Sequence, residues 1–516
     1  MPETELVPAP RGRKISPSVF VLAGLTLLLH LLFDGRYGFF RDELYYIACG
    51  HHLAWGYVDQ PPLVAVFARL SEALLGRSLY AIRFFPALAG ATIVLLTGWL
   101  AAELGGDEFA QVLAALAVLA APAYLAFDSF LSMNAFEPIF WTLCALILLR
   151  LVKGADQRLW LLFGVIAGIG LLNKNSVLIF GYAVFVALLA TPARRFFYSR
   201  WIWIGALAAF AIFAPNLIWE WRHGWPQIHV VLNADLYKNV PISPAEFLFQ
   251  QILFMHPLIL PVWLGGLWYY FGTREGKPFR FLGIIYLVLL GVFLLLRSKT
   301  YYLLPAYPLL LAGGGVIWEK WLRQPGRRWM RAGLATLVVI GGIITLPYGV
   351  PVLSVRHFIR YETLIPIGHD VRMERDSRAI LPQLYGDMFG WRHITASVAK
   401  VYDAVPLPQR SSCAILASNY GEAGAIDYYG RRYGLPRAIS GHNNYYLWGP
   451  RGYSGACVIA IGVAASQLHE LFGQVKLETL VMNRYSMPVE NHLPIYLCGD
   501  PKAALTKMWP KLRYYI

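Results

Sequence analysis

The chain has 516 residues, of which 57% are hydrophobic and only 15% are charged, and its mean hydropathy is +0.49. A soluble domain carries about 25% charged residues, so this composition excludes an ordinary soluble protein and favours one that crosses a membrane. The net charge of +15 does not predict nucleic-acid binding, because no basic stripe with interleaved aromatic residues accompanies it.

Apolar runs separated by short polar breaks fill the sequence from about residue 17 to residue 350. Each run is long enough to cross a hydrocarbon core of about 30 Å as a helix. Eleven spans are predicted, at 17–33, 82–101, 109–126, 130–150, 159–173, 176–191, 201–219, 247–271, 281–297, 302–317 and 332–350. The expected fold is a polytopic α-helical membrane domain, 1–351, followed by a smaller α/β domain, 352–516.

Basic residues predict the orientation of these spans, because loops that stay in the cytoplasm carry an excess of Lys and Arg. Arg11, Arg13 and Lys14 precede the first span, which lacks a convincing signal-peptide cleavage site and is therefore expected to be retained. Later basic residues cluster in every second loop. The N-terminus is thus predicted to be cytoplasmic, and eleven spans would place residues 352–516 in the periplasm, on the outside of a cell inner (plasma) membrane.

The last third of the chain alternates short apolar runs with polar turns. Strands are predicted at 413–417, 456–463 and 493–498, and helices at 422–429 and 467–472. Because strands and helices alternate, a parallel sheet is expected.

Two predicted outer segments, 34–81 and 220–246, are too long to be simple connectors, and long ordered loops often carry function. The first contains Arg41, Asp42 and Glu43 directly after a span. A carboxylate there could take a proton from an acceptor, and a cation could stabilise a departing phosphate. The alternative is that these polar residues cap an amphipathic helix at the membrane interface.

Four polar segments lie at or near the predicted outer ends of the spans. In chain order they are Arg41-Asp42-Glu43, Asp59-Gln60-Pro61-Pro62, Asn173-Lys174, and Ser298-Lys299 with Tyr302-Leu303-Leu304-Pro305. Together they resemble glycosyltransferase family 39, which includes the dolichyl-phosphate-mannose protein mannosyltransferases and has the lipid A aminoarabinose transferases as close relatives. The resemblance covers roughly the first 350 residues. It implies a GT-C fold, inverting transfer from a polyprenyl-phosphate sugar, and a catalytic role for Asp42, with Glu43 beside it.

The chain departs from this family at Gln60, where relatives often have a basic residue. Gln60 follows Asp59 and cannot supply positive charge, so another group is expected to bind the donor phosphate. A lysine or an aromatic residue at a membrane interface can also be a snorkelling or belt residue. The candidates for the phosphate site are Arg41, Lys174, His256, Arg297, Lys299 and Tyr301.

A second departure lies near the start of the fourth span. Many relatives have an acidic residue where this chain has Asn134, with Asp128 and Glu137 nearby. An ionisable residue such as Glu137 inside a span is costly and therefore suggests function. The alternative is a helix-packing contact beside the kink at Pro138.

Two polar loops in the C-terminal third contain hydrogen-bonding groups and aromatic residues, as sugar-binding loops do. Their candidate acceptor contacts are Asn419, Glu422, His442 and Asn443. Ordinary turn chemistry explains the same residues, and the sequence does not separate the two.

The sequence thus predicts a membrane glycosyltransferase whose partners are a polyprenyl-phosphate sugar donor, the lipid bilayer, and a glycan, lipid or protein acceptor, with no nucleic acid. The alternative is a multi-pass transporter or sensor with a periplasmic domain. No cofactor is certain. None of the five cysteines forms a CxxC pair, which argues against a zinc site of that kind. Adjacent histidines such as His51 and His52 seldom both face one ion. A requirement for a divalent metal is left open by the sequence.

Overall fold

The computed structural model describes residues 13–367 and 379–516, so Arg11 of the N-terminal basic group lies outside the described residues. The described chain forms two compact units. The helical unit comprises residues up to Asp34 together with 83–217 and 241–354, and the sheet unit comprises 35–82, 218–240 and the described residues from 355 to 516. The predicted domain boundary between 351 and 352 stays a prediction.

Long apolar helices form the helical unit, and two of them, Leu79–Glu103 and Arg200–Arg222, begin or end in the sheet unit. The other α-helices are Pro17–Phe33, Glu108–Ala120, Pro122–Asp128, Met133–Val152, Leu159–Asn173, Val177–Leu189, Pro244–Met255, Leu260–Gly272, Arg280–Leu295, Tyr307–Leu322 and Trp329–Gly349. Short 3-10 turns occur at Pro192–Tyr198, Pro257–Ile259, Lys277–Phe279 and Thr300–Ala306.

Six of the described helices, counted with any 3-10 turn that leads into them, are long and apolar enough to cross a membrane. The number of spans rises to as many as nine if each of three bent helix pairs counts as one span. Two further apolar helices, Pro17–Phe33 and Leu159–Asn173, are shorter. The predicted multi-pass helical architecture is therefore confirmed. Each of the eleven predicted spans contains a helix, but the count of eleven stays a prediction.

Two predicted spans are not single helices. The span at 109–126 bends by 64° after Ala120, and the span at 247–271 bends by 89° after Met255. A proline follows each break, at Pro122 and Pro257. Proline has no backbone N–H and clashes with the preceding turn, so the helix ends and restarts in a new direction.

A five-stranded sheet lies at the centre of the C-terminal part of the sheet unit. Its strands are β1 (Cys413–Ala417), β2 (Ile439–Ser440), β3 (Cys457–Ile461), β4 (Phe472–Val481) and β5 (Leu493–Pro501), in the order β2-β1-β3-β5-β4. The helices of the unit are Arg41–Gly50, Leu63–Leu75, Pro226–Asn233, Val355–Leu364, Gln383–Gly386, Trp391–Ala404, Leu407–Arg410, Tyr420–Tyr429, Asn443–Trp448, Ala465–Leu471 and Leu505–Met508, with a π-helical turn at Ala234–Lys238 and 3-10 turns at Gly430–Tyr433, Pro488–Glu490 and Trp509–Leu512.

The expectation of a parallel sheet is only half right. Strands β2, β1 and β3 are parallel, whereas β5 pairs antiparallel with both β3 and β4. Parallel pairing requires a long crossover, usually a helix, and no helical crossover joins β4 to β5. The two strands therefore turn back on each other, and β4, which the sequence analysis missed, takes the edge.

Parallel strands β1 and β3 form the buried centre of the sheet, and all ten of their residues are buried. Continuous burial is what parallel strands covered on both faces show. At their first residues, which are register partners, a disulfide joins Cys413 to Cys457. Cys49, Cys144 and Cys498 are free and buried.

Two helices that are far apart in sequence pack closely in the sheet unit. Helix Arg41–Gly50 lies against helix Tyr420–Tyr429, and the two backbones come close at Gly424. A Cβ atom added there would lie 2.9 Å from the carbonyl carbon and oxygen of Leu44. Only glycine therefore allows the backbones to come this near, and this packing positions the residues of the candidate site.

We predict that Gly424→Val lowers the Tm of the purified protein by several degrees, because overpacking a close contact costs roughly 1–3 kcal/mol. Differential scanning calorimetry in detergent measures it. Gly181→Val is the matched control, since Gly181 is also helical and has no atom within 4 Å of a Cβ placed there. Equal Tm changes in the two variants would contradict the packing argument.

Candidate active site

The first turn of helix Arg41–Gly50 explains the role of Glu43 in the structure. Phe40 has an extended backbone and precedes the helix. Its N–H donates to Oε2 of Glu43 at 2.7 Å, and its carbonyl accepts from the N–H of Glu43 at 3.0 Å. Glu43 is completely buried. It therefore acts as a helix cap, and its catalytic role stays a prediction.

Asp42 faces a different environment. Its Oδ1 accepts a hydrogen bond of 2.8 Å from the hydroxyl of Tyr420 and lies 3.6 Å from Nε of Arg41. Its side chain is 27% exposed. Oδ2 of Asp42 has no hydrogen-bond partner among the described residues, so one oxygen is held while the other can meet a substrate.

Arg41 is fixed on two sides. Its guanidinium lies 5.8 Å from the ring centroid of Tyr420 and 3.8 Å from Oδ1 of the buried Asp387. An arginine held in this way presents its charge in a defined direction, because its planar group is already oriented.

Asp59 connects to the same helix through Tyr45. The hydroxyl of Tyr45 lies 2.8 Å from Oδ1 of Asp59 and 3.2 Å from Oδ1 of Asn444. The ring of Tyr45 stacks on Tyr420 with centroids 4.6 Å apart. Asp42 and Asp59 thus each accept a hydrogen bond from one tyrosine of a stacked pair.

The pKa of Asp59 is raised from 3.8 to about 6. Loss of hydration is the largest cause, and the negative charge of Asp42 adds to it, while the hydrogen bond from Tyr45 opposes it. Asp59 therefore changes charge near neutral pH, which makes it a candidate functional group.

Gln60 is completely buried beneath this cluster. Its Nε2 lies 3.9 Å from Sγ of Cys49, and its backbone pairs with that of Tyr57. The side chain of Gln60 packs in the interior of the sheet unit, so it is placed to stabilise the turn after Asp59.

The four predicted acceptor contacts make hydrogen bonds within the fold. Asn419 caps helix Tyr420–Tyr429, accepting from the N–H groups of Gly421 and Glu422 at 2.8 and 3.0 Å. Burial raises the pKa of Glu422 to about 8, and its carboxyl accepts from the N–H of Ser418 at 2.8 Å.

His442 and Asn443 are also buried. Burial lowers the pKa of His442 to about 3, and its Nδ1 accepts from the N–H of Tyr420 at 3.3 Å. Asn443, with φ 45°, exchanges side-chain hydrogen bonds with the backbone of Ile516. These bonds agree with ordinary turn chemistry, and contact with an acceptor stays a prediction for all four residues.

In the helical unit, the structure brings together three predicted residues. Nζ of Lys174 lies 2.7 Å from Oε2 of Glu137 and 2.8 Å from Oδ1 of Asn134. Ser176 also bonds to Glu137, which is 1% exposed. Glu137 is therefore paired in the interior, as buried charges must be.

Aromatic rings complete this lysine site. Nζ of Lys174 lies 4.4 Å from the ring centroid of Tyr302 and 5.7 Å from that of Tyr301. Cation–π attraction of this kind orients the ammonium group. The side chain of Lys174 is 13% exposed, so the cation is partly accessible.

The other predicted phosphate ligands occupy different positions in the helical unit. Arg297 and Lys299 precede the aromatic pair, and Arg297 is exposed with φ 48°. His256 is 1% exposed at the bend after Met255. A Cβ on Gly341 would lie 2.4 Å from its ring, so His256 packs against helix Trp329–Gly349.

Sequence reasoning missed Tyr45, Tyr420 and Asn444. Tyr45 was within reach of sequence analysis, because it lies three residues after Asp42 on one helix face. Tyr420 and Asn444 approach the site only through folding.

A buried group in the helical unit was also missed. His30 lies 3.2 Å from the carboxylate of Asp34, and the backbone carbonyl of Asp34 accepts a hydrogen bond from Arg83 at 2.5 Å.

Within residues 13–367 and 379–516, no group of three or more His, Cys, Asp or Glu side chains is arranged to hold a metal ion.

Known proteins resemble this chain in sequence and in fold. The family model described as dolichyl-phosphate-mannose-protein mannosyltransferase matches residues 59–219. ArnT from Cupriavidus metallidurans bound to undecaprenyl phosphate superposes with a TM-score of 0.60 at 14% identity, covering 93% of this chain and 97% of that one. Its apo state gives 0.58 at 13% identity with the same coverage. None of the curated proteins matches the sequence.

These findings confirm the resemblance and the fold class predicted from the sequence. The chain is a multi-pass membrane protein with the fold of ArnT, including the C-terminal mixed sheet. At this identity the structural likeness establishes the fold, whereas function depends on the site itself.

We predict that Asp59→Asn stabilises the protein at pH 8 and does so much less at pH 4.5. The folded-state pKa of about 6 exceeds the ordinary 3.8, so the folded protein binds the proton more tightly. The stability that this carboxyl contributes is therefore lost as pH rises from 3.8 through about 6, and the charged form opposes folding to its full extent at pH 8. Thermal unfolding at both pH values measures the difference in Tm. The control Asp403→Asn alters an exposed carboxyl, and a pH-independent effect of Asp59→Asn would contradict the prediction.

Proposed function

We propose that this chain is a membrane glycosyltransferase that moves a sugar from a polyprenyl-phosphate donor to an acceptor, with Asp42 as the general base. The observation that carries the proposal is the geometry of Asp42, whose Oδ1 is held by Tyr420 while its side chain stays partly exposed beside Arg41. The sequence match to the mannosyltransferase model and the fold shared with ArnT support it.

The proposed reaction is a single displacement. Asp42 takes the proton from an acceptor hydroxyl or amine as that atom bonds to the anomeric carbon of the sugar. The bond between this carbon and the phosphate oxygen breaks with its electron pair, and the polyprenyl phosphate leaves. Attack from the opposite side inverts the anomeric configuration.

The leaving phosphate gains negative charge, so cations stabilise the transition state more than the ground state. We assign this role to Arg41, whose Nε lies 3.6 Å from Oδ1 of Asp42 in the same unit. In the helical unit, Glu137, Asn134 and Tyr302 hold the ammonium group of Lys174 in one place, and Lys174, Arg297 and Lys299 stay predicted phosphate ligands. Asp59, near Asp42, would tune the charge of the site.

We also propose that the sheet unit lies outside the cytoplasm. The positive-inside pattern of the loops supports this orientation. The disulfide between Cys413 and Cys457 supports it independently, because disulfides persist in oxidising compartments and are rare in the cytosol. A polyprenyl-phosphate sugar and its acceptor would then meet on the periplasmic face.

We predict that Asp42→Asn abolishes transfer while leaving the Tm and membrane insertion unchanged. A positioned base contributes roughly 10²–10⁴-fold, and asparagine cannot take the proton although it can still accept the bond from Tyr420. Mass analysis of glycolipids and glycoproteins from a deletion strain carrying the wild type or the variant measures it. Glu470→Gln, an exposed acid of the same unit, is the control. Retention of more than about a tenth of wild-type transfer would exclude Asp42 as the base.

The orientation predicts a specific pattern of thiol labelling. In denatured protein from intact cells, a maleimide reagent should label three cysteines before reduction and all five after it, since two are joined in the disulfide. The double variant Cys413→Ser/Cys457→Ser should show three in both conditions. Labelling of five cysteines without reduction would argue against an extracytoplasmic sheet unit.

A further inference from the structure

A pocket of about 560 Å³ opens in the sheet unit at the carboxyl ends of the parallel strands. This volume is within the range of about 300–1,000 Å³ that small-molecule sites occupy. Ala417 at the end of β1, Gly441 just after β2, and Gly462 just after β3 all line it. The pocket therefore lies where the three parallel strands deliver their loops.

The strand order opens a crevice at this edge of the sheet. From β1 the chain passes to β2 on one side and then returns across β1 to β3 on the other. The loops after β1 and β3 consequently leave the sheet in opposite directions and open a crevice between them. In open α/β sheets, ligands bind in such a crevice at the carboxyl ends of the strands.

The polar lining of the pocket contains a buried carboxyl group, that of Glu490, in which only one oxygen accepts a hydrogen bond from the described residues. Glu490 is 1% exposed, and its Oε1 accepts from Nδ2 of Asn419 at 3.0 Å. Its Oε2 has no hydrogen-bond partner within the part of the chain that the structure describes. Buried polar atoms are rarely left unsatisfied, so this oxygen indicates a partner supplied from the pocket.

The charge around the pocket is positive. Arg41, Lys238, Lys511 and Arg513 line it, against the single acid Glu490. Among residues 13–367 and 379–516, neither Lys511 nor Arg513 forms an ion pair, and both are exposed. A cluster of exposed cations around a cleft attracts and concentrates anionic ligands.

Glu490 is compatible with an anion because it is not expected to carry charge itself. Burial and the neighbouring Glu422 raise the pKa of Glu490 well above its usual value. A protonated carboxyl has one O–H to donate, and Oε2 could give it to a ligand oxygen.

We propose that this pocket is a binding site for a phosphate monoester carried on a small polar molecule, either a soluble sugar phosphate or a phosphorylated lipid headgroup. Phosphate fits because arginine and lysine together provide bidentate and point-charge contacts for it, while Ser418, Asn419 and Glu490 contribute neutral hydrogen bonds. The pocket shares Arg41 and Tyr420 with the candidate active site, but binding of the phosphate does not depend on the proton transfer proposed for Asp42.

Binding is tested on the full-length protein purified in detergent. Isothermal titration with glucose 6-phosphate, compared with glucose, tests the soluble source. For the lipid source, the protein is reconstituted in phosphatidylcholine vesicles that contain a trace of fluorescently labelled phosphatidic acid or, as the control, labelled phosphatidylcholine. Energy transfer from tryptophan to the label measures binding. We expect the phosphate-bearing probe to bind in at least one arm and glucose not to bind.

Two kinds of variant locate the site. Lys511→Gln/Arg513→Gln should weaken phosphate binding at least tenfold, whereas Arg431→Gln/Arg432→Gln, which removes the same charge from the surface outside the pocket, should not. Ala464→Trp fills the pocket without changing charge and should also abolish binding. Thermal unfolding confirms that each variant is folded.

The outcomes separate this site from the proposed reaction. Asp42→Asn should keep phosphate binding even where transfer is lost, so failure of one proposal leaves the other standing. Binding in the soluble arm, or only of the labelled phosphatidic acid, supports the site and identifies the source. No phosphate binding in either arm, or equal weakening by both double variants, would overturn it.

Discussion

The hydrogen bond between the Tyr420 hydroxyl and Asp42 is the contact on which the candidate site depends. It joins segments 378 residues apart, and it forms because helix Arg41–Gly50 can approach helix Tyr420–Tyr429 closely at Gly424. The stacked ring of Tyr45 then fixes Tyr420. A loop between two apolar helices thereby gains a rigid support, which a reactive carboxylate needs in order to be positioned accurately.

The carboxyl groups around this contact differ in exposure and in hydrogen bonding, and these differences indicate different roles. Asp42 is partly exposed beside a guanidinium, whereas Asp59 loses hydration and has its pKa raised to about 6. Glu43 caps a helix, and Glu422 is buried with a pKa of about 8. Pairs of acids whose surroundings set them apart in this way are typical of active sites, although buried acids also serve structure.

Two charged side chains inside the helical unit are paired with each other, because an unpaired ion in an apolar interior is very costly. Glu137 and Lys174 lie close together in the chain's membrane-spanning part and satisfy each other at 2.7 Å. Asn134 and Tyr302 complete the coordination of the ammonium group. A lysine held in this manner has a defined orientation while it remains partly accessible, which a snorkelling lysine at a free surface would not require.

The sequence by itself determined the membrane helices, their approximate limits and three of the five strands, because these follow from local hydrophobic periodicity and from proline and glycine punctuation. It also pointed to Asp42 and to the Asn134, Glu137 and Lys174 group. Tertiary structure alone decided that β5 inserts antiparallel between β3 and β4, that Gln60 is buried against Cys49, and that Tyr420 bonds to Asp42. These features depend on contacts between distant segments, and a one-dimensional pattern carries no information about which distant segments approach each other.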